Sequence, residues 1–130
     1  MPALAFLSPE WLRALDAALR SAPIPDSDGS FVLEQVVIDV PGAGEVRYSV
    51  VVDGTGARID DAAQADVRLT TDYEMAVAIA SGSGNAQQAL ARGRLRIGGD
   101  LEAFAARSTL LVALRDVTAT LRNDTTFDEP

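Results

Sequence analysis

From Trp11 onward the apolar residues Trp11, Leu12, Leu15, Ala18, Leu19 and Ala22 recur at helical spacing, which predicts an amphipathic helix with one stripe turned toward a core. Ser8 stands where an N-cap is needed, Pro9 suits the first helical position, and Glu10 faces the positive end of the helix dipole. Leu7 and Leu12 form a hydrophobic staple across the cap, and Pro23 and Pro25 end the element. After a turn at Pro25-Asp26-Ser27-Asp28-Gly29, the run from Phe31 to Val40 is apolar at both parities. Such a strand is covered on both sides and belongs near the centre of a sheet. Pro41-Gly42-Ala43-Gly44 turns the chain back, and Val46, Tyr48, Val50 and Val52 alternate with Arg47, Ser49 and Asp53 as a hairpin partner does. The turn Asp53-Gly54-Thr55-Gly56 leads into a short strand near Ala57 to Asp60, and a further strand alternates Ala65, Val67 and Leu69 with Asp66, Arg68 and Thr70. Neighbour after neighbour, these strands read as an antiparallel meander.

Period two then gives way to helical signals. Thr71 as cap with Glu74 at the third helical position fits a capping box, and Met75, Ala76, Val77, Ile79 and Ala80 follow in a helix with few polar residues. Ser81-Gly82-Ser83-Gly84 ends it, Asn85 and Gln88 repeat the capping signature for a short helix, and Gly93 terminates that one. Leu95 and Ile97 form a last strand before the break at Gly98-Gly99, and Asp100 caps a long final helix reaching roughly to Leu121. The polar tail from Arg122 to Pro130 reads as a frayed, flexible end to a single domain spanning residues 1–130. Within the final helix, Leu101, Phe104, Ala105, Ser108 and Val112 cluster on one side, while Leu110, Leu114, Val117 and Leu121 lie nearly opposite. Two stripes mean that the element bends near Ser108-Thr109, or that its second half faces another wall such as a pocket, the first helix or a partner chain.

The composition narrows the chemistry. With 48% hydrophobic residues, 23% charged residues and no apolar run of membrane-spanning length, the 130-residue chain is expected to be a soluble α+β domain of the cytoplasm. The net charge of −8 opposes nucleic acid and anionic membrane surfaces as partners. All eleven basic residues are Arg, which together with abundant Ala fits a GC-rich genome. There is neither Cys nor His, so thiol nucleophiles, thiolate metal sites and the commonest general base are missing. Neither a cofactor nor a metal is expected. The acids Asp39, Asp53, Asp60 and Asp61 read as solvated turn residues, and Asp26-Ser27-Asp28-Gly29 opens like a calcium loop but lacks the next ligand and the closing helix. Arg94 and Arg96 share one face of a strand and suit pairing with local carboxylates, or an acidic partner or headgroup. What remains is an excess of apolar helix surface, which serves as core, as the wall of a ligand cavity or as a homodimer face through Leu110, Leu114, Val117 and Leu121.

The stretches Ala65-Asp66-Val67-Arg68-Leu69-Thr70-Thr71-Asp72 and Gly93-Arg94-Leu95-Arg96-Ile97-Gly98-Gly99-Asp100, in this order and with these helices between and after them, resemble the sterol-binding domain of the sterol carrier protein type 2 family. The resemblance covers nearly the whole chain. It implies a five-stranded, largely antiparallel sheet with helices packed on one face, and an apolar tunnel between them for sterols, fatty acyl chains or other lipids. It implies no catalysis. Gly99-Asp100 then corresponds to a structural turn and cap, and the wall residues carried over are Trp11, Leu15, Met75, Val77, Ile79, Phe104, Leu111 and Leu114. With no peroxisomal ending or attached enzyme domain of the eukaryotic kind in this sequence, it is expected to resemble a bacterial stand-alone member. The expected function is a non-catalytic carrier of a hydrophobic small molecule, without stable membrane insertion. The alternative is a ligand-free homodimer built on the C-terminal helix.

Overall fold

The structure, a computed structural model, describes residues 4–24, 30–54, 56–60 and 64–127. The Asp26-Ser27-Asp28-Gly29 turn, Asp61 and residues 128–130 of the tail lie outside the described residues. In chain order the elements are β1 (Leu4–Ala5), α1 (Pro9–Ser21), β2 (Phe31–Val40), β3 (Gly44–Asp53), β4 (Gly56–Ile59), β5 (Val67–Asp72), α2 (Tyr73–Ser81), α3 (Ala86–Ala91), β6 (Leu95–Gly99), α4 (Leu101–Ala106), α5 (Ser108–Ala119) and β7 (Thr125–Thr126).

The main sheet has five strands in the order β4-β3-β2-β5-β6, so the strand that is apolar at both parities is its centre, as its pattern requires. Three of the pairings are antiparallel, but β5 runs parallel to β2. The expected meander therefore stops at β4, and the chain crosses back to lay β5 on the other side of β2. Asp66 fixes that crossing: its carboxylate accepts from Val32 N at 2.8 Å, its own N donates to Val32 O, and its O accepts from Asp100 N at 2.8 Å. Gly99 completes the junction with φ +90, a left-handed conformation. The Asp66 and Gly99-Asp100 motifs thus meet at one point, and Asp100 caps α4 by accepting from Ala103 N.

α1 starts as expected, with Ser8 accepting from Trp11 N and Pro9 in the first turn. It buries Trp11, Leu15 and Leu19 and covers the edge of the sheet, where Asp16 accepts from Ile59 N of β4 at 2.8 Å. The cap of α2 is Asp72, not Thr71; Asp72 accepts from Met75 N, while Thr71 is still in β5 and donates to Arg94 O. Asn85 caps α3 as expected. The last helix is two helices. It breaks at Arg107 (φ −106, ψ 27), and this break produces the doubled stripe: α5 turns Leu110 and Leu114 into the core, whereas Leu101 and Val112 point to solvent.

The tail is also ordered as far as the structure describes it. Arg122 donates to Ala80 O at the end of α2, Thr125–Thr126 pairs in parallel with Leu4–Ala5, and Phe127 packs 5.2 Å from the ring of Phe6. Trp11 Nε1 donates to Thr125 Oγ1, which donates in turn to Leu121 O. A polar composition concealed this docking, because its partners are backbone oxygens and one indole far away in sequence.

Candidate functional site

The register defines which side chains share the face of the sheet under the helices. Three cross-strand rows matter. The first contains Ile59, Val50, Leu33, Val67 and Gly99; the second Tyr48, Gln35, Leu69 and Ile97; the third Val46, Val37, Thr71 and Leu95. In the first row Val50, Leu33 and Val67 are buried, and in the third Val37, Thr71 and Leu95 are buried. Every member of the row between them is only half-buried. Ile97 lies on β6, the edge of the sheet, but Gln35 and Leu69 lie on β2 and β5 inside it, so the partial exposure of the row extends from the edge into the sheet. This row was missed at the sequence level. Its residues look like any inward-facing strand positions, and their exposure depends on the packing of remote helices.

Of the wall residues assigned from sequence, Trp11, Leu15 and Leu114 are packed on all sides, at 1, 1 and 6% exposure, and belong to the core cluster. Val77, Phe104 and Leu111 are half-buried and pack against that cluster from the helix layer, as Leu69 and Ile97 do from the sheet. Met75 and Ile79 are half-buried on α2 but lie outside the side chains that pack on the core. The stripe of Leu110, Leu114, Val117 and Leu121 faces this chain's own core, with Leu110 fully buried, so it is not a surface on which a partner chain can sit.

The row is chemically uneven. Leu69 and Ile97 make its β5–β6 half apolar, whereas Tyr48 and Gln35 stand directly opposite one another on β3 and β2. The Tyr48 ring lies 6.2 Å from Trp11 in an edge arrangement, and burial pushes its hydroxyl well above the ordinary tyrosine range. No charged side chain belongs to any of the three rows. Arginines gather instead on the opposite face, where Arg68 pairs with Glu34, Arg47 with Glu45, and Arg94 with Asp72 at 2.9 Å; Arg96 is exposed. Two open clefts measure about 130 and 220 Å³; the first lies on that opposite face around Thr70, Arg94 and Arg96, and the second around Arg20 and Arg58. Neither is lined by the half-buried row. Among the described residues no three acidic side chains gather as metal ligands, and no helix is long and apolar enough to cross a membrane.

A mixed five-stranded sheet covered on one face by helices, with an uncharged inner face, defines an α+β fold of the sterol carrier protein type. The chain belongs to the SCP-2 sterol transfer family, whose model matches residues 28–112. Domains of this family are non-catalytic lipid carriers, and this chain is not an enzyme. Its fold is that of sterol carrier protein 2, with a TM-score of 0.65 at 22% identity over 88% of this chain and 97% of that one. A conserved hypothetical protein from Thermus thermophilus, described as a candidate sterol carrier protein, gives a TM-score of 0.64 at 20% identity over 97% of this chain and 94% of that chain. Palmitated SCP2L2 from Aedes aegypti gives 0.60 at 19% identity, over 81% of this chain and 94% of that one. No curated protein matches the sequence.

Proposed function

We propose that the chain binds and carries an apolar small molecule, a lipid, fatty acyl or sterol-like compound, held between the sheet and the helix layer and released unchanged. The observation that carries this reading is the half-buried row Tyr48, Gln35, Leu69 and Ile97 between two largely buried ones. Apolar surface in such a place is removed from water by a ligand, which is favourable by about 25 cal/mol per Å². Val77, Phe104 and Leu111 supply the facing wall, and Trp11, Leu15 and Leu114 hold the core on which that wall rests. The palmitated relative from Aedes aegypti supports an acyl chain as one form of the cargo.

A pocket for a lipid-sized ligand needs roughly 300 to 1,000 Å³. Admission therefore requires the helix layer to shift, and α4 is the element suited to do so: none of its residues is buried, and Leu101 is 59% exposed. The break at Arg107 lets α4 move without dragging the buried α5. The test is titration with a fluorescent fatty-alcohol analogue. Saturable one-to-one binding is expected, with loss in Ile97→Asp while the circular dichroism spectrum is retained. A folded wild-type protein that leaves the probe unbound contradicts the reading.

A further inference from the structure

We propose that the carried molecule has a neutral hydrogen-bonding head, an alcohol, ester or ketone rather than an ionised acid, and that Gln35 and Tyr48 receive this head. The inference rests on the carrier reading and narrows it. The half-buried row crosses four strands, β3, β2, β5 and β6, and is thus about 14 Å long at the usual interstrand spacing. One half presents a phenol and a carboxamide, and the other presents Leu69 and Ile97. That is the pattern of an amphipathic molecule lying across the strands, head toward β3 and tail toward β6.

Both polar groups are available. Among the described residues neither the Gln35 amide nor the Tyr48 hydroxyl has a hydrogen-bond partner, and no side-chain polar atom is both sealed from solvent and unsatisfied, so both retain hydrogen-bonding capacity for a ligand. Thr71, the other polar side chain in these rows, is already engaged with Arg94 O. An ionised head would find no counter-charge. The three rows contain no charged residue, and of the arginines on the helices Arg107 lies 5.5 Å over the ring of Phe31, Arg20 pairs with Asp16, Arg115 pairs with Asp116, and Arg13 is exposed. Phe31 precedes Gln35 by four positions on β2, about 13 Å along the strand. A carboxylate placed at Gln35 would lose hydration without gaining a partner, whereas a hydroxyl or carbonyl would exchange water for the amide and the phenol. The raised Tyr48 hydroxyl reports the same surroundings, in which charge is disfavoured.

The test compares 1-dodecanol with dodecanoate at pH 8 by isothermal titration calorimetry on the full chain, in wild type, Gln35→Leu and Tyr48→Phe. Dodecanol is expected to bind at least about tenfold tighter than dodecanoate, and each substitution to weaken dodecanol about fivefold, the effect of losing one neutral hydrogen bond, while dodecanoate affinity stays unchanged. Dodecanoate binding as tightly as dodecanol, or a ratio unaltered in both folded variants, overturns the neutral-head inference and leaves the carrier reading standing. Failure of both compounds to bind the folded wild type overturns both.

Discussion

Gly99 shows how much a single position can hold. A Cβ added there would sit 2.5 Å from Asp66 O, and the left-handed backbone is itself unfavourable to other residues. Gly99→Ala should destabilise the protein by more than about 2 kcal/mol, measured by urea denaturation, because backbone and not a flexible side chain must move. At Tyr48 the pH dependence has a definite sign. Burial raises its folded-state value above the ordinary 10.0, so the contribution of its neutral form is complete below about pH 10 and is lost as pH rises through the folded value. Thermal melts should therefore fall more steeply above pH 10 in wild type than in Tyr48→Phe. The alternation of Val46, Tyr48, Val50 and Val52 made the inward side of β3 legible in sequence. It did not reveal that Tyr48 stays half-buried, or that Gln35 faces it, because cross-strand register is not written in either strand alone. Thr71 and Asp72 are both good caps; a strand one residue longer decides for Asp72.

The doubled apolar stripe of the final helix was the sequence's main structural question, and the break at Arg107 answers it. With Leu114 6% exposed within the core, Leu114→Ala should cost about 3 kcal/mol of stability in chemical denaturation, and Leu114→Asp should unfold the chain rather than separate a dimer. α4, by contrast, buries none of its residues. Hydrogen exchange should be faster in α4 amides than in α5 amides and should slow in α4 when an acyl ligand is added, since local opening follows the density of buried contacts. Equal protection in the two helices would remove α4 as the moving element. The ordered C-terminal segment was not legible. Its anchors, Ala80 O, Trp11 Nε1 and the backbone of Leu4–Ala5, belong to three other elements, and the segment's own residues show no periodicity.

For the molecule as a whole, hydrophobic patterning located the five strands of the main sheet, the central position of β2 and the helical layer, but not the small β1–β7 pair. It did not specify the parallel pairing of β2 with β5, since an alternating strand fits either neighbour equally well. Charge follows the same division. Arg47, Arg68 and Arg94 lie on the open face in pairs with carboxylates, while the three rows under the helices carry no charge. Partly exposed pairs of this kind contribute little to stability, and moderate salt should leave the melting temperature nearly unchanged. The most direct test of the carrier account is native mass spectrometry of the gently purified chain, followed by lipid extraction. The account predicts a folded protein with one apolar molecule bound, and its loss from Ile97→Asp. A folded wild-type chain that arrives empty, and stays empty after exposure to a total lipid extract, would contradict it.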